Sequence, residues 1–177
     1  MGERRILAIC LDSGDTLVDE GTEVKDERGV VLTGELIPGA AELVRTLHAQ
    51  GYRLALVADG PAATFTNVLG AHGVYDLFCV HAISEWVGVE KPDPAIFRFA
   101  LAGLDIGEEA AGRTIMVGNN LERDIAGANA LGMISVWLDW APRRRKVPAT
   151  ALETPRYIIK TPLELLSLLP KIEESLT

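Results

Sequence analysis

Short runs of apolar residues recur along this chain, and each is followed by a polar or glycine-rich turn and then by a stretch of helical periodicity. The first run, Ile6 to Leu11, carries no alternating polar residue and reads as a strand buried on both faces. It stops at Asp12, which Ser13-Gly14-Asp15-Thr16 follow. Residues 18–36 are polar, with Val24 and Val30 to Leu32 flanking Asp26-Glu27-Arg28-Gly29, a pattern that predicts a small hairpin. Pro38-Gly39 opens a helix from Ala40 to Gln50, apolar at 40, 43, 44 and 47, and Gly51 closes it.

The rest of the chain keeps the same rhythm. Strands are predicted over Tyr52–Ala58, Phe78–Ile83, Thr114–Val117 and Ile134–Leu138, with a short edge strand over Tyr157–Ile159. Helices are predicted from the Asp59-Gly60-Pro61 turn to about His72, over Pro94–Leu104 and over Leu121–Leu131. A last helix begins at Thr161-Pro162 with Thr161 as its N-cap. Strands alternating with helices at this spacing predict an α/β fold with a parallel sheet and right-handed crossovers. Ligands bind such a sheet beyond the carboxyl ends of its strands, so Asp12, the Ala58-Asp59 turn and Asn119–Asp124 are expected to converge, with Lys91 in reach. Asp12 read alone serves equally as a chemical group at that edge or as a residue that merely ends a strand or caps a turn.

Composition narrows the function classes. A length of 177 residues with 48% hydrophobic content suits one soluble globular domain spanning 1–177. The net charge of −8 argues against a nucleic-acid partner. No apolar stretch has the length of a membrane span, and the start of the chain has no signal-peptide core, so a cytoplasmic protein is expected. Cys10 and Cys79 sit in apolar runs and read as buried thiols. The basic run Arg143–Lys146 reads as a solvated loop, or else as a contact for an anionic substrate.

Four stretches carry a resemblance to the haloacid dehalogenase superfamily. They are LDSGDTLVD (11–19), LALVADG (54–60), GVEKPDPAIF (88–97) and IMVGNNLERDIAGANALGM (115–133), in that family's order and spacing. The resemblance implies a three-layer, doubly wound, Rossmann-like core with the 18–36 hairpin as a flap and no large cap domain. It also implies an aspartate nucleophile that forms a covalent aspartyl intermediate, usually aspartyl-phosphate. Asp12 matches that nucleophile, and Lys91 matches the lysine that steadies it and the transferring group. Asp12, the Gly14 carbonyl, Asn119 and Asp124 match a Mg²⁺ site, and Ala58, Asp59 and Lys91 match the phosphate-binding positions.

The departures from that pattern are informative. The phosphatases of the family place an acid–base aspartate two residues after the nucleophile, where this chain has Gly14. Asp15 follows where glycine is usual, and is expected to turn away and cap the turn rather than act as a displaced acid–base group. Ala58 stands where a serine or threonine binds phosphate, Asp59 where asparagine is common, and Asn119 where an acidic metal ligand is usual. A positioned general acid is worth roughly 10² to 10⁴ in rate, so alkyl phosphates are expected to be poor substrates and good leaving groups better ones.

Three functions therefore stand side by side. One is a Mg²⁺-dependent phosphohydrolase for a phosphorylated small molecule or a larger phosphorylated substrate. The second is a binding or regulatory module that keeps the fold without catalysis. The third is metal-independent hydrolysis through Asp12. Trp86 is expected to pack against the sheet, and Trp137 and Trp140 to pack or to form an interface. A capless fold makes a homodimer a further expectation.

Overall fold

The computed structural model describes residues 4–176. Among the described residues, eight strands form two sheets. The main sheet holds β1 (Ala8–Leu11), β4 (Leu54–Ala58), β5 (Val80–Ile83), β6 (Thr114–Gly118), β7 (Ile134–Leu138) and β8 (Tyr157–Ile159), in the order β5-β4-β1-β6-β7-β8. Every pairing in it is parallel. β1 therefore lies inside the sheet, with Leu11 opposite Leu56 on one side and Val117 on the other. The chain order reverses at β1, between β4 and β6, and a crevice opens there at the carboxyl edge.

The two faces of the sheet are built by strict alternation. Ile9, Leu11, Leu54, Leu56, Ile115 and Val117 face one core, which takes Val44 and Leu47 from α1 (Ala40–Ala49), Phe65 and Leu69 from α2 (Ala62–Ala71), and Leu165 and Leu169 from α6 (Glu164–Ser175). Ala8, Cys10, Ala55, Val57 and Met116 face the other, against Ile96, Phe97, Ala100 and Leu101 of α4 (Pro94–Gly103) and Ala128 of α5 (Ala126–Ala130). The second face is lined with smaller side chains, which leaves room for Phe97. Truncating a buried leucine such as Leu56 to alanine costs about 2–5 kcal/mol in cores of this kind.

Between β1 and α1 the chain forms the antiparallel pair β2 (Val24–Lys25) and β3 (Val31–Thr33). This hairpin is fastened to α2. Val31 N donates to Thr64 Oγ1 at 3.0 Å, and Asn67 Nδ2 donates to the Val31 carbonyl at 2.9 Å. It thus stands as a wall beside the crevice.

Several expectations need correction. The helix expected over Leu121–Leu131 is a π-helical turn, Leu121–Ile125, continued by α5. Asn120 accounts for the wide turn: its Oδ1 accepts from Glu122 N and Arg123 N, and its carbonyl accepts from both Asp124 N and Ile125 N. A further short helix, α3 (Ser84–Val87), leaves Trp86 56% exposed rather than packed against the sheet. Thr161 does not cap α6, which starts at Glu164; its hydroxyl meets the Glu164 side chain at 3.3 Å instead. Cys10 is buried at the centre of the sheet, where burial pushes its thiol pKa up to about 12, but Cys79 is exposed just before β5. Trp137 is buried, as expected, and its Nε1 donates to the Asn119 carbonyl at 2.9 Å.

The run Arg143–Lys146 is not a free solvated loop. Arg143 Nε donates to Asp15 Oδ2 at 2.9 Å and its Nη2 to Asp19 Oδ1 at 2.8 Å. Arg144 Nη2 reaches both oxygens of Glu20, and Arg145 Nη2 reaches Glu122 and Glu153 at 2.8 and 2.6 Å. Lys146 pairs with Asp139. Arg143 and Arg144 strap the run across an acidic loop more than a hundred residues earlier in the sequence, while Arg145 and Lys146 pair with carboxylates much nearer in the chain.

Candidate active site

A cavity of about 510 Å³ opens at the carboxyl edge where β4, β1 and β6 end. Asp12, Gly14, Ala58, Asp59, Lys91, Asn119 and Asp124 all line it, so the sequence-predicted residues are brought together. Glu20, Glu23, Lys25 and Arg123 line it as well and were not anticipated; Arg144 lines it too, in line with the reading of its run as a contact for an anionic substrate.

The centre of the site is an ammonium group held between two carboxylates. Lys91 Nζ donates to Asp12 Oδ1 at 2.6 Å and to the Val57 carbonyl at 2.8 Å, and lies 2.7 Å from Asp124 Oδ1. Asp12 is 7%, Lys91 4% and Asp124 1% exposed, so water screens these charges poorly. Burial alone would depress the Lys91 pKa, but the charges of Asp12, Asp124 and Asp59 outweigh it and hold the group above the ordinary lysine range. Burial and then the Asp12 charge push the Asp124 carboxyl up to about 6, against the pull of Lys91.

Each group is fixed by its neighbours. Asp12 Oδ2 accepts from Thr16 Oγ1 at 3.1 Å, so both oxygens of the carboxylate are oriented. Asp124 Oδ2 accepts from Asn120 N at 2.9 Å. Gly118 is the residue that lets Asp124 come so close, because a Cβ there would stand 2.3 Å from Asp124 Cγ. Asp59 faces inward onto the lysine loop: its Oδ1 accepts from Lys91 N at 2.9 Å and its Oδ2 from Arg123 Nη1 at 3.2 Å. Ala58 ends β4 with a methyl group and brings no hydroxyl to the cavity.

Three buried polar atoms of cavity-lining residues lack hydrogen-bond partners, Asp124 Oδ1, Asn119 Nδ2 and Arg144 Nε. Asp124 Oδ1 meets Lys91 at ion-pair range without the alignment of a hydrogen bond. An amide turned about its last bond exchanges its nitrogen for its oxygen, so Asn119 can present Oδ1 from the same place. Two carboxylates around one ammonium also leave the centre short of positive charge. These features fit a bound cation with oxygen ligands.

Asp15 is fully buried and outside the cavity wall. It adopts φ 51°, a left-handed conformation that aspartate tolerates better than most side chains. Its Oδ1 accepts from Glu20 N at 3.2 Å, which caps the turn as expected, and its Oδ2 takes Arg143. Burial pushes its carboxyl above the usual range, against the Glu20 amide and the two arginines. Glu20 is shifted the same way, by burial first and then by the Asp15 charge, against Arg144.

Residues 2–132 match the model of a hydrolase family described as haloacid dehalogenase-like hydrolase. Over 105 residues the chain is 36% identical to glyceraldehyde 3-phosphate phosphatase of Pyrococcus abyssi, covering 59% of this chain and 42% of that protein. It is also 36% identical over 105 residues to phosphoserine phosphatase of Thermus thermophilus, covering 59% of this chain and 41% of that one. The chain thus matches less than half the length of these two curated relatives. The crystal structure of a HAD phosphatase from Thermococcus onnurineus superposes with a TM-score of 0.66 at 29% identity, over 76% of this chain and 58% of that one.

Proposed function

Since this chain belongs to the haloacid dehalogenase-like hydrolase family, we propose that it is a Mg²⁺-dependent phosphohydrolase that acts on a small phosphate monoester through an aspartyl-phosphate at Asp12. The observation that carries the reading is the buried cluster in which Lys91 Nζ joins Asp12 and Asp124 at the edge of the crevice. A carboxylate that must attack a dianionic phosphate needs positive charge beside it, and Lys91 supplies it in a site screened from water. The two relatives are named for small phosphorylated substrates, and a cavity of about 510 Å³ suits a molecule of that size.

Thr16 and Lys91 orient the Asp12 carboxylate for attack on phosphorus. Asp59 fixes the backbone of the lysine loop and so the reach of its ammonium. Asp12, Asp124, the Asn119 side-chain oxygen and the Gly14 carbonyl would hold Mg²⁺, which when bound neutralises charge on the phosphoryl oxygens.

The test is to incubate the protein with Mg²⁺ and p-nitrophenyl phosphate, quench in acid, and look by mass spectrometry for a phosphoryl group on the peptide containing Asp12. The adduct is expected in the native protein and absent from Asp12→Asn. Titration calorimetry should show Mg²⁺ binding that both Asp12→Asn and Asp124→Asn weaken. No adduct and no metal binding in a folded protein would overturn the reading.

A second reading, a binding module without turnover, is favoured by one observation: Ala58 offers no hydroxyl, and the Asp59 beside it is committed to Lys91 N and Arg123. It predicts Mg²⁺ binding with no adduct. Turnover that survives EDTA would instead favour metal-independent chemistry at Asp12.

A further inference from the structure

The geometry points to Glu20 as the proton-transfer group of this site, its carboxyl standing in the space that a side chain on Gly14 would fill. The inference rests on the phosphohydrolase reading and deepens it. A Cβ built on Gly14 would lie 2.2 Å from Glu20 Oε1, 3.0 Å from Cδ and 3.2 Å from Cγ. A side chain at 14 and Glu20 in its present place exclude each other. The turn that begins at Asp12 therefore carries a carboxyl group over Gly14, two positions after Asp12, delivered from six positions further along the chain.

That carboxyl is positioned rather than loose. Glu20 starts a short 3₁₀ turn, Glu20–Thr22, whose approach is set by Glu20 N donating to Asp15 Oδ1. Arg144 Nη2 donates to Oε1 at 2.9 Å and to Oε2 at 2.7 Å, and the side chain keeps 31% of its surface exposed. It lines the same cavity as Asp12.

The other carboxyl groups are otherwise engaged. Asp124 is bound to Asn120 N and Lys91, and Asp59 to Lys91 N and Arg123. Asp15 is sealed beneath Arg143, outside the cavity. Glu23 pairs with Lys25 and Glu122 with Arg145, as Glu20 pairs with Arg144, but the atoms nearest a Cβ on Gly14 are those of Glu20.

The chemistry balances in two steps. Asp12 attacks phosphorus, the acyl-phosphate O–P bond to Asp12 forms as the bond to the substrate oxygen breaks, and the Glu20 carboxyl gives its proton to that oxygen, releasing the alcohol. Water then attacks phosphorus and gives one proton to the Glu20 carboxylate. Phosphate leaves, and both Asp12 and the protonated Glu20 are regenerated.

The test compares an aryl ester, p-nitrophenyl phosphate, with an alkyl ester, glycerol phosphate, in Glu20→Gln and in the exchange variant Gly14→Asp/Glu20→Ala. In Glu20→Gln, turnover of the alkyl ester is expected to fall by roughly 10² to 10⁴. The aryl ester, whose leaving group needs no proton, still phosphorylates Asp12 and gives a burst of nitrophenol before a slow steady state. The exchange variant, which moves the carboxyl from 20 to 14, regains part of the alkyl-ester activity over Glu20→Ala alone. Circular dichroism and thermal melting check that each variant folds. Equal loss on both esters, wild-type turnover of both, or no gain from the exchange would overturn the role of Glu20 and leave the phosphohydrolase reading in place. Absence of any Asp12 adduct in the native protein would remove both.

Discussion

Lys91 Nζ donates to Asp12 Oδ1 at 2.6 Å, although 79 residues separate them in sequence. The same ammonium also stands against Asp124, so it is the single cation between two buried carboxylates. Removing it leaves those carboxylates facing one another. Lys91→Met is expected to cost about 3–5 kcal/mol of stability in metal-free buffer, read by urea unfolding. Adding Asp124→Asn to that variant should recover part of the loss, because the repulsion goes with it. Additive effects of the two substitutions would show that the groups are not energetically joined.

Asp15 combines a left-handed backbone with a buried carboxylate. Asp15→Ala loses the Arg143 pair and keeps the backbone strain, which costs roughly 1–2 kcal/mol for an ordinary side chain. Asp15→Gly loses the pair but relieves the strain. Both are expected to be less stable than the native protein, with the glycine variant melting higher than the alanine variant. The reverse order would mean that the strain is not felt.

Arg143→Ala opens the strap from the other side. It leaves the buried Asp15 with only Arg144 Nε, 3.8 Å away, as a charged partner, at a cost of about 1–3 kcal/mol. Limited proteolysis should then cut between β7 and β8 faster than in the native chain. Unchanged cleavage with unchanged melting would mean that the pairs over Asp15 and Asp19 do not hold the loop down.

Gly127 of α5 lies against Phe97 of α4 so closely that a Cβ would stand 2.2 Å from Phe97 Cε2. Gly127→Ala should therefore destabilise by about 1–3 kcal/mol despite the better helix propensity of alanine. Phe97→Leu in the same chain should restore part of it. Thermal melts of the two single variants and the double variant decide the point.

Asp139 is held between Lys146 and Lys160. Burial raises its pKa, but the two lysines outweigh burial and hold it below the ordinary aspartate value of 3.8. A depressed folded pKa means that the pairs stabilise the fold at pH above 3.8 and that this contribution fades as the pH falls through the folded value. Asp139→Asn is expected to be less stable than the native protein by up to about 1 kcal/mol at pH 7. The difference should shrink when both are compared at about pH 3. A gap that stays constant with pH would rule out the ionic origin.

The sheet and the meeting of Asp12 with the Asn119–Asp124 stretch were legible in the sequence because they follow from periodicity, whereas the parts of Lys91 and Asp124 were read from the resemblance of their stretches to the family. Apolar runs locate the strands, and parallel strands bring their carboxyl ends to one edge. Thr16 and Glu20 were not legible. Thr16 is hidden in a turn, and Glu20 reaches Gly14 through loop geometry that no hydrophobic pattern records. The signal that could have found Glu20 is the glycine itself, a missing side chain beside the nucleophile. The strap was misread for a similar reason: a basic run carries no mark of which acidic loop it will meet more than a hundred residues away. The wide turn at Leu121 was missed because it depends on the Asn120 side chain, while the apolar pattern around it continues as an ordinary helix would.

The two cysteines lie at opposite extremes of access. Cys79 is an exposed residue whose Sγ donates to the Leu54 carbonyl at 3.2 Å, whereas Cys10 lies in the middle of β1, between β4 and β6, as a thiol that stays protonated at neutral pH. A thiol reagent should therefore modify Cys79 promptly and Cys10 only during excursions that pull the central strand out of the sheet. In a Cys79→Ser background, the labelling rate of Cys10 becomes a clock for whole-molecule opening, readable under native conditions and without denaturant.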